Sequence, residues 1–267
     1  MASGLAITSS NKIDERFAEL RASGRKALVC YATAGHPDRL RSIALLQGLE
    51  DAGADIIEVG VPFSDPLADG PVIQASSQTA LDGGMSFSGA LDVVAEARLS
   101  IPVVLFGYLN PFIAAGESCL ERIERAGCDG VLITDLPVGA DPALEARFAS
   151  SPLAFVRLVA PTTPLERMKL IAQNGSGFVY LISRLGVTGM QQDVAPQLGP
   201  TVDRLRSVTD LPICVGFGVT DARQAAAIAS IADGVVVGSA IVKAAGESVD
   251  AAVALARSLR AGVDNTI

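Results

Sequence analysis

The chain is expected to fold in the α/β class as a closed (β/α)8 barrel, and three observations carry that expectation. Eight short apolar, β-branched runs bounded by turn residues recur along its 267 residues. Amphipathic stretches with helical spacing lie between them, several ending at glycine, where helices commonly stop. No shift in composition and no linker marks a boundary, so residues 1–267 read as a single TIM-barrel domain with an extra N-terminal helix. Strands alternating with helices imply right-handed crossovers and a parallel sheet. An open doubly wound sheet is the alternative, but eight units in about 250 residues fit closure better.

The elements follow in order. NKIDERFAELRASG (11–24) reads as a helix ahead of the first strand, placed to cover the bottom of the barrel. KALVCYAT (26–33) is the first strand and DRLRSIALLQGLEDAG (38–53) its helix. DIIEVG (55–60) is the second strand, followed by GVPFSDPLADGP (60–71), a long loop stiffened by Pro62, Pro66 and Pro71. A helix at 88–100 leads to the strand PVVLFGY (102–108), and a helix at 118–127 to GVLITDL (130–136). The strand AFVRLVA (154–160) and the helix 165–175 precede GFVYLIS (177–183). The polar, glycine-rich connection SRLGVTGMQQDVAPQLGP (183–200) has the length of a functional lid, with Arg184, Thr188 and Gly189 at its base. PICVGFG (212–218), a helix at 221–232 and DGVVVGS (233–239) complete the set.

Composition bounds the function. With 49% hydrophobic residues but only 4% aromatic and no tryptophan, the palette is that of tightly packed helices and strands. A net charge of −8 without any Lys/Arg-rich run argues against nucleic acid and anionic membranes as partners. No stretch reaches the roughly 18 apolar residues of a membrane span, and the N-terminus lacks a secretory pattern, so a cytoplasmic location is expected. Cys30, Cys119, Cys128 and Cys214 share no CxxC spacing and read as reduced core residues. His36 is the only histidine, which removes multi-histidine metal sites and leaves proton transfer to carboxylates, tyrosine or lysine. No metal is expected.

Chemistry in such barrels sits on the loops after the strands. In DIIEVG, Ile56, Glu58 and Gly60 share one face and Ile57 and Val59 the other, with Val61 continuing the second. The uninterrupted apolar face belongs against the helices, so Glu58 points into the barrel, where desolvation raises a carboxyl pKa toward general acid/base use. A structural glutamate paired with a buried Arg or Lys is the alternative. The stiff loop presents Asp65 and Asp69 near Glu58, unless both merely make turns. Tyr180 shares a face with Phe178 and Ile182, which puts its phenol in the same cavity or in the core. No P-loop is present and GFGVTD (216–221) is an incomplete dinucleotide fingerprint. Gly216, Gly218, Gly238 and Ser239 close the last two strands, where barrels often hold phosphate through backbone N–H groups.

EVGVPFSDPLADGP, SRLGVTG, VGFGV and VVVGSAIV, in this order and spacing, closely resemble the tryptophan synthase alpha subunit family over residues 13 to 260. The resemblance implies a TIM-barrel lyase that cleaves indole-3-glycerol phosphate by a retro-aldol reaction. Indole then passes through a tunnel to a beta subunit in an alpha-beta-beta-alpha heterotetramer. It implies no cofactor in this chain, with pyridoxal phosphate confined to the partner. It further implies Glu58 as the acid/base at the indole ring carbon and Asp69 as the partner of the indole N–H. Tyr31 and Tyr180 match the aromatic site positions, and Gly189, Gly218, Gly238 and Ser239 the phosphate site. Thr188 matches the lid threonine that meets Asp69 on closure. His36 in GHPD, and Phe112, Ala114 and Ala115 after Asn110–Pro111, depart from the pattern common in the family.

Overall fold

The structure, a computed structural model, describes residues 11–182, 197–216 and 218–265. In chain order the elements are α1 (Lys12–Ala22), β1 (Ala27–Thr33), α2 (Arg39–Asp51), β2 (Ile56–Gly60), α3 (Pro71–Asp82), α4 (Phe87–Ala97), β3 (Val103–Gly107), α5 (Leu109–Ala114), α6 (Cys119–Arg125) and β4 (Gly130–Ile133). They continue with α7 (Pro142–Ala149), β5 (Ala154–Val159), α8 (Leu165–Gln173), β6 (Val179–Ile182), α9 (Leu198–Arg206), β7 (Ile213–Gly216), α10 (Ala222–Ala229), β8 (Gly234–Val237), α11 (Ser239–Glu247) and α12 (Val249–Asp264). Neighbouring strands pair in parallel and in sequence order, and β8 returns to β1, so the sheet is a closed barrel.

Side-chain alternation sorts the apolar residues into two regions. Ile57, Val59 and Val61 lie between sheet and helices with Leu45, Leu46 and Leu49 of α2 and Val93 and Val94 of α4. Ile56 instead packs inside the barrel with Val29, Val104, Leu132, Val156 and Phe178. The assignment of faces in DIIEVG is therefore the observed one, and it is forced by period-two geometry on a sheet that has no open edge.

The helix ahead of the first strand plugs the bottom. Ile13, Phe17 and Leu20 of α1 join the interior cluster, and the rings of Phe17 and Phe178 lie 5.8 Å apart. A Cβ at Gly130 would stand 2.9 Å from Ile13 Cδ1, so the strand start is kept bare to admit the plug. Asn11 caps α1 by accepting the Ile13 N–H at 2.9 Å and donates its amide to the Asp129 carbonyl at 2.7 Å, which fixes the helix beneath the strands.

The bottom rim satisfies its backbone by a recurring device. Asp55, Asp129, Ser176 and Asp233 precede the four even strands, and each side chain accepts the N–H of a residue on the preceding odd strand. The acceptor distances are 2.7 Å from Leu28, 3.0 Å from Val103, 2.8 Å from Phe155 and 3.0 Å from Ile213. The backbone N–H of each rim residue donates to the carbonyl of that same partner. Asp55 carries more: its carboxylate, 1% exposed, also takes Arg16 of α1 at 2.6 Å and Arg260 of α12 at 2.7 Å. Arg260 in turn reaches Asp264 at 2.7 Å and the Lys26 carbonyl at 3.1 Å. One buried charge thus ties the first and last helices to the first two strands.

Two expectations about the connections are corrected. Pro71 does not stiffen the loop but opens α3 at its first position, where a missing N–H leaves no intrahelical bond unmade. Residues 198–200 belong to α9 rather than to the polar connection, with Leu198 buried and Pro200 tolerated in the first turn. α3 escapes the periodicity reading because its buried face carries Ser76, Ser77 and Ala80 beside Ile73, a small-residue face without an apolar stripe. The four cysteines are free and buried, as their spacing suggested.

Replacing Arg260 with methionine leaves Asp55 buried with Arg16 as its remaining cation, and is expected to lower unfolding stability by about 3–5 kcal/mol, the usual cost of breaking one partner out of a buried ion pair. Urea denaturation measures this. A loss below about 1 kcal/mol would reduce the network to a surface-like contribution.

Candidate active site

At the C-terminal ends of the strands a cavity opens between the loops after β2, β7 and β8, lined by Tyr31, Glu58, Asp69, Ile73, Phe106, Tyr180, Gly218, Gly238 and Ser239 among others. Glu58 lies on its floor. It is 1% exposed, stands in register between Tyr31 of β1 and Val104 of β3, and its Oε1 has no hydrogen-bond partner among the described residues. Burial alone pushes its carboxyl up to about 8, and no cation acts on it among the described residues. The paired structural glutamate is therefore not what the fold builds. A carboxyl with that value is mostly protonated at neutral pH and ready to give a proton.

The loop after β2 separates its two aspartates. Asp65 is exposed and takes the Ser64 hydroxyl at 2.5 Å, so it serves the turn and is not presented to Glu58. Asp69 lines the cavity; burial pushes its carboxyl up to about 6, against a hydrogen bond from Tyr108 that pulls it down. Backbone turns from Leu67 to the Asp65 carbonyl (2.9 Å) and from Asp69 to the Pro66 carbonyl (3.0 Å) set the loop's shape. The Gln74 amide, one turn into α3, donates to the Asp69 carbonyl at 2.9 Å and holds its end.

Two tyrosines flank Glu58. A Cβ at Gly60 would fall 2.0 Å from the Tyr31 hydroxyl oxygen, and one at Gly216 would fall 2.5 Å from that of Tyr180. Both glycines exist to let the rings lie across the strand ends. Phe106 meets Tyr31 edge-on at 5.3 Å, which completes an apolar wall suited to a flat aromatic ligand. Burial raises both phenols, so they stay neutral. Phe106 was legible from alternation along PVVLFGY, yet it was not singled out. Tyr108 was not legible, because its hydroxyl reaches a loop some forty residues away.

Beside Tyr31, at the end of the adjoining strand, Gly238 caps α11 and Ser239 begins it. The first-turn N–H groups of a helix lack intrahelical acceptors and sit at the positive end of its dipole, an arrangement that receives an anion. Gly218, at φ 84°, turns the chain after β7 on the same side of the cavity. Arg184, Thr188 and Gly189 lie outside the described residues. Among the described residues no group of three or more His, Cys, Asp or Glu is placed to share a metal ion, and no helix is long and apolar enough to cross a membrane.

Comparison with known proteins gives this geometry a family. Residues 17–265 match the family model described as tryptophan synthase alpha chain. The tryptophan synthase alpha chains of Phenylobacterium zucineum and Caulobacter vibrioides are 46% and 45% identical, over 90% and 88% of this chain and 88% and 86% of theirs. The crystal structure of tryptophan synthase subunit alpha from Legionella pneumophila superposes with a TM-score of 0.88 at 34% identity, covering 96% of this chain and 100% of that one. A chain of tryptophan synthase from M. tuberculosis in its aminoacrylate-bound form gives 0.86 at 35% identity, covering 95% and 100%. A closed barrel matched to the family model over residues 17–265, and to relatives at 45–46% identity over most of both chains, makes the chain a member of the tryptophan synthase alpha chain family.

Proposed function

We propose that this chain cleaves indole-3-glycerol phosphate to indole and glyceraldehyde 3-phosphate, as the alpha subunit of an alpha-beta-beta-alpha tryptophan synthase that passes indole to its beta subunit. The observation that carries the reading is Glu58, buried on the floor of a cavity that also holds an aromatic wall and a helix N-terminus, with its Oε1 unpartnered among the described residues. The whole chain acts as one barrel domain in the cytoplasm.

The chemistry follows from those groups. The phosphate docks on the backbone N–H groups at Gly238 and Ser239 with Gly218 and, from the polar connection, Gly189 beside it, and this remote binding orients the reacting carbon. The indole ring lies against Tyr31, Phe106 and Tyr180. Protonated Glu58 gives its proton to the ring carbon that bears the side chain, while Asp69 accepts the indole N–H and stabilises the positive charge that develops on the ring. Glu58, now a carboxylate in a dry site, takes the proton of the neighbouring glycerol hydroxyl. The carbon–carbon bond breaks, its electron pair returns to the ring as indole, and the hydroxyl carbon leaves as the aldehyde. The ring itself accepts the electrons, so the step uses no cofactor of this chain; pyridoxal phosphate belongs to the beta subunit. Thr188 and Arg184, in the lid connection, act on closure, with Thr188 meeting Asp69.

Indole release from indole-3-glycerol phosphate, measured with and without a cognate beta subunit, tests the reading. Stimulation by the beta subunit supports the channelling complex; full activity without it supports a stand-alone lyase; no release under either condition removes the activity. Glu58→Gln is expected to lower turnover by about 10²–10⁴-fold, the scale of losing a general acid/base, and a drop under about tenfold in a folded variant removes Glu58 from the mechanism. The pH profile of kcat/KM is expected to be bell-shaped. Asp69 must be ionised, so activity falls as pH drops through about 6; Glu58 must be protonated, so activity falls as pH rises through about 8. A flat profile from 5 to 9 contradicts both assignments. At Gly238 a Cβ would make only ordinary contact with Tyr31 at 3.6 Å, so Gly238→Val should fold. Its branches crowd the helix N-terminus, and inorganic phosphate should bind roughly tenfold more weakly by calorimetry, the scale of a lost hydrogen bond to a charged group.

A further inference from the structure

Tyr108 stands just beyond β3, outside the cavity lining, and the chemistry above gives it no task. Its side chain is 4% exposed and its ring rests on Phe63 with centroids 5.2 Å apart. The hydroxyl oxygen accepts the N–H of Ala68 at 2.9 Å, and the next residue in the chain is Asp69. The same hydroxyl lies against the Asp69 carboxyl, to which it can give its single hydrogen, with the side chain of Thr134, the first residue after β4, beside it. Thr134 is itself tied to β3, its backbone N–H reaching the Gly107 carbonyl at 2.9 Å and its hydroxyl the same oxygen at 3.2 Å. The phenol therefore joins a loop that carries a site carboxyl to two rigid strands.

The geometry points to Tyr108 as the positioning residue for Asp69: its hydroxyl, held by the Ala68 N–H on a ring packed against Phe63, fixes the loop so that the Asp69 carboxylate faces the indole N–H. This rests on the reading in which Asp69 accepts that N–H. The ionisable groups facing Asp69 are Tyr31 from β1, Glu58 from β2 and Tyr108 from the end of β3, while Asp65 of its own loop is turned to solvent. Among the described residues no Arg or Lys acts on Asp69, so donation from Tyr108 is the interaction that opposes its burial. A donor to an ionised oxygen is among the stronger hydrogen bonds available to a side chain.

The test is Tyr108→Phe, which keeps the ring and its packing on Phe63 and removes the one oxygen. The full chain is titrated by carboxyl-carbon NMR, the Asp69 resonance being assigned by its loss in Asp69→Asn. The Asp69 midpoint is expected to rise by about one pH unit, the scale of a single hydrogen bond to a charged group. In the complex with the beta subunit, the acid limb of indole release should move by the same amount. At pH 6 the rate then falls roughly fivefold, because moving the midpoint from about 6 to about 7 cuts the ionised fraction from a half to a tenth. KM, set largely at the phosphate end, should change little. If Tyr108→Phe proves too unstable to titrate, Thr134→Val removes the polar group beside the phenol and should shift the midpoint the same way by a smaller amount. An unmoved midpoint in a folded variant overturns the proposal whatever the activity. A moved midpoint in a chain that releases no indole supports the positioning role and strikes at the functional reading instead.

Discussion

Closing a sheet on itself leaves each strand with one face toward the helices and one toward an interior that water does not reach, and the site is a consequence of that constraint. Along β2 the inward residues are Ile56, Glu58 and Gly60, so the position that carries the carboxyl is enclosed by Val29, Val104 and the rings of Tyr31 and Tyr180. Desolvation then does what no neighbouring charge does here, raising Glu58 to about 8. The plug formed by Ile13, Phe17 and Leu20 matters for the same reason: it seals the interior from below and keeps the barrel dry under the site. A buried, unpartnered carboxyl destabilises the fold, and its presence on the cavity floor marks a place where function outweighs stability.

Two carboxyls in one cavity receive different environments and hence hold a proton differently. Glu58 has only burial acting on it, whereas Asp69 has burial opposed by the hydroxyl of Tyr108. The separation, about 8 against about 6, gives a window around neutral pH in which one is protonated and the other ionised. The rest of the cavity is passive by comparison. Gly60 and Gly216 contribute absence, leaving space for two phenol rings, and α11 contributes the unsatisfied N–H groups of its first turn.

The two ends of the barrel divide stability from chemistry. At the bottom Asp55, Asp129, Ser176 and Asp233 each exchange two hydrogen bonds with the preceding strand, and Arg16 and Arg260 pair with Asp55. At the top, Glu58 Oε1 is without a partner among the described residues and the helix N-terminus lines the cavity. Such a division lets the loops at the top vary in shape while the closure beneath them stays fixed.

The closed barrel, the bottom helix and the inward placement of Glu58 were legible in the sequence, because each depends on local periodicity that a strand or helix cannot evade. The family was legible too, from the motifs EVGVPFSDPLADGP, SRLGVTG, VGFGV and VVVGSAIV, and the family model matches residues 17–265. α3 was missed because its packing face is small and polar rather than apolar, and the first turn of α9 because Gly199 and Pro200 read as loop although Leu198 is buried. The division between Asp65 and Asp69, four residues apart on one stiff loop, needed the fold, since it depends on which carboxyl meets Tyr108 and which meets water. The sequence alone determined which side chains alternate inward, for that is a property of the backbone's repeat. Only the tertiary structure decided which of them lack partners, because partnership joins residues from distant strands, as Gly60 with Tyr31, Asp55 with Arg260 and Ala68 with Tyr108 show.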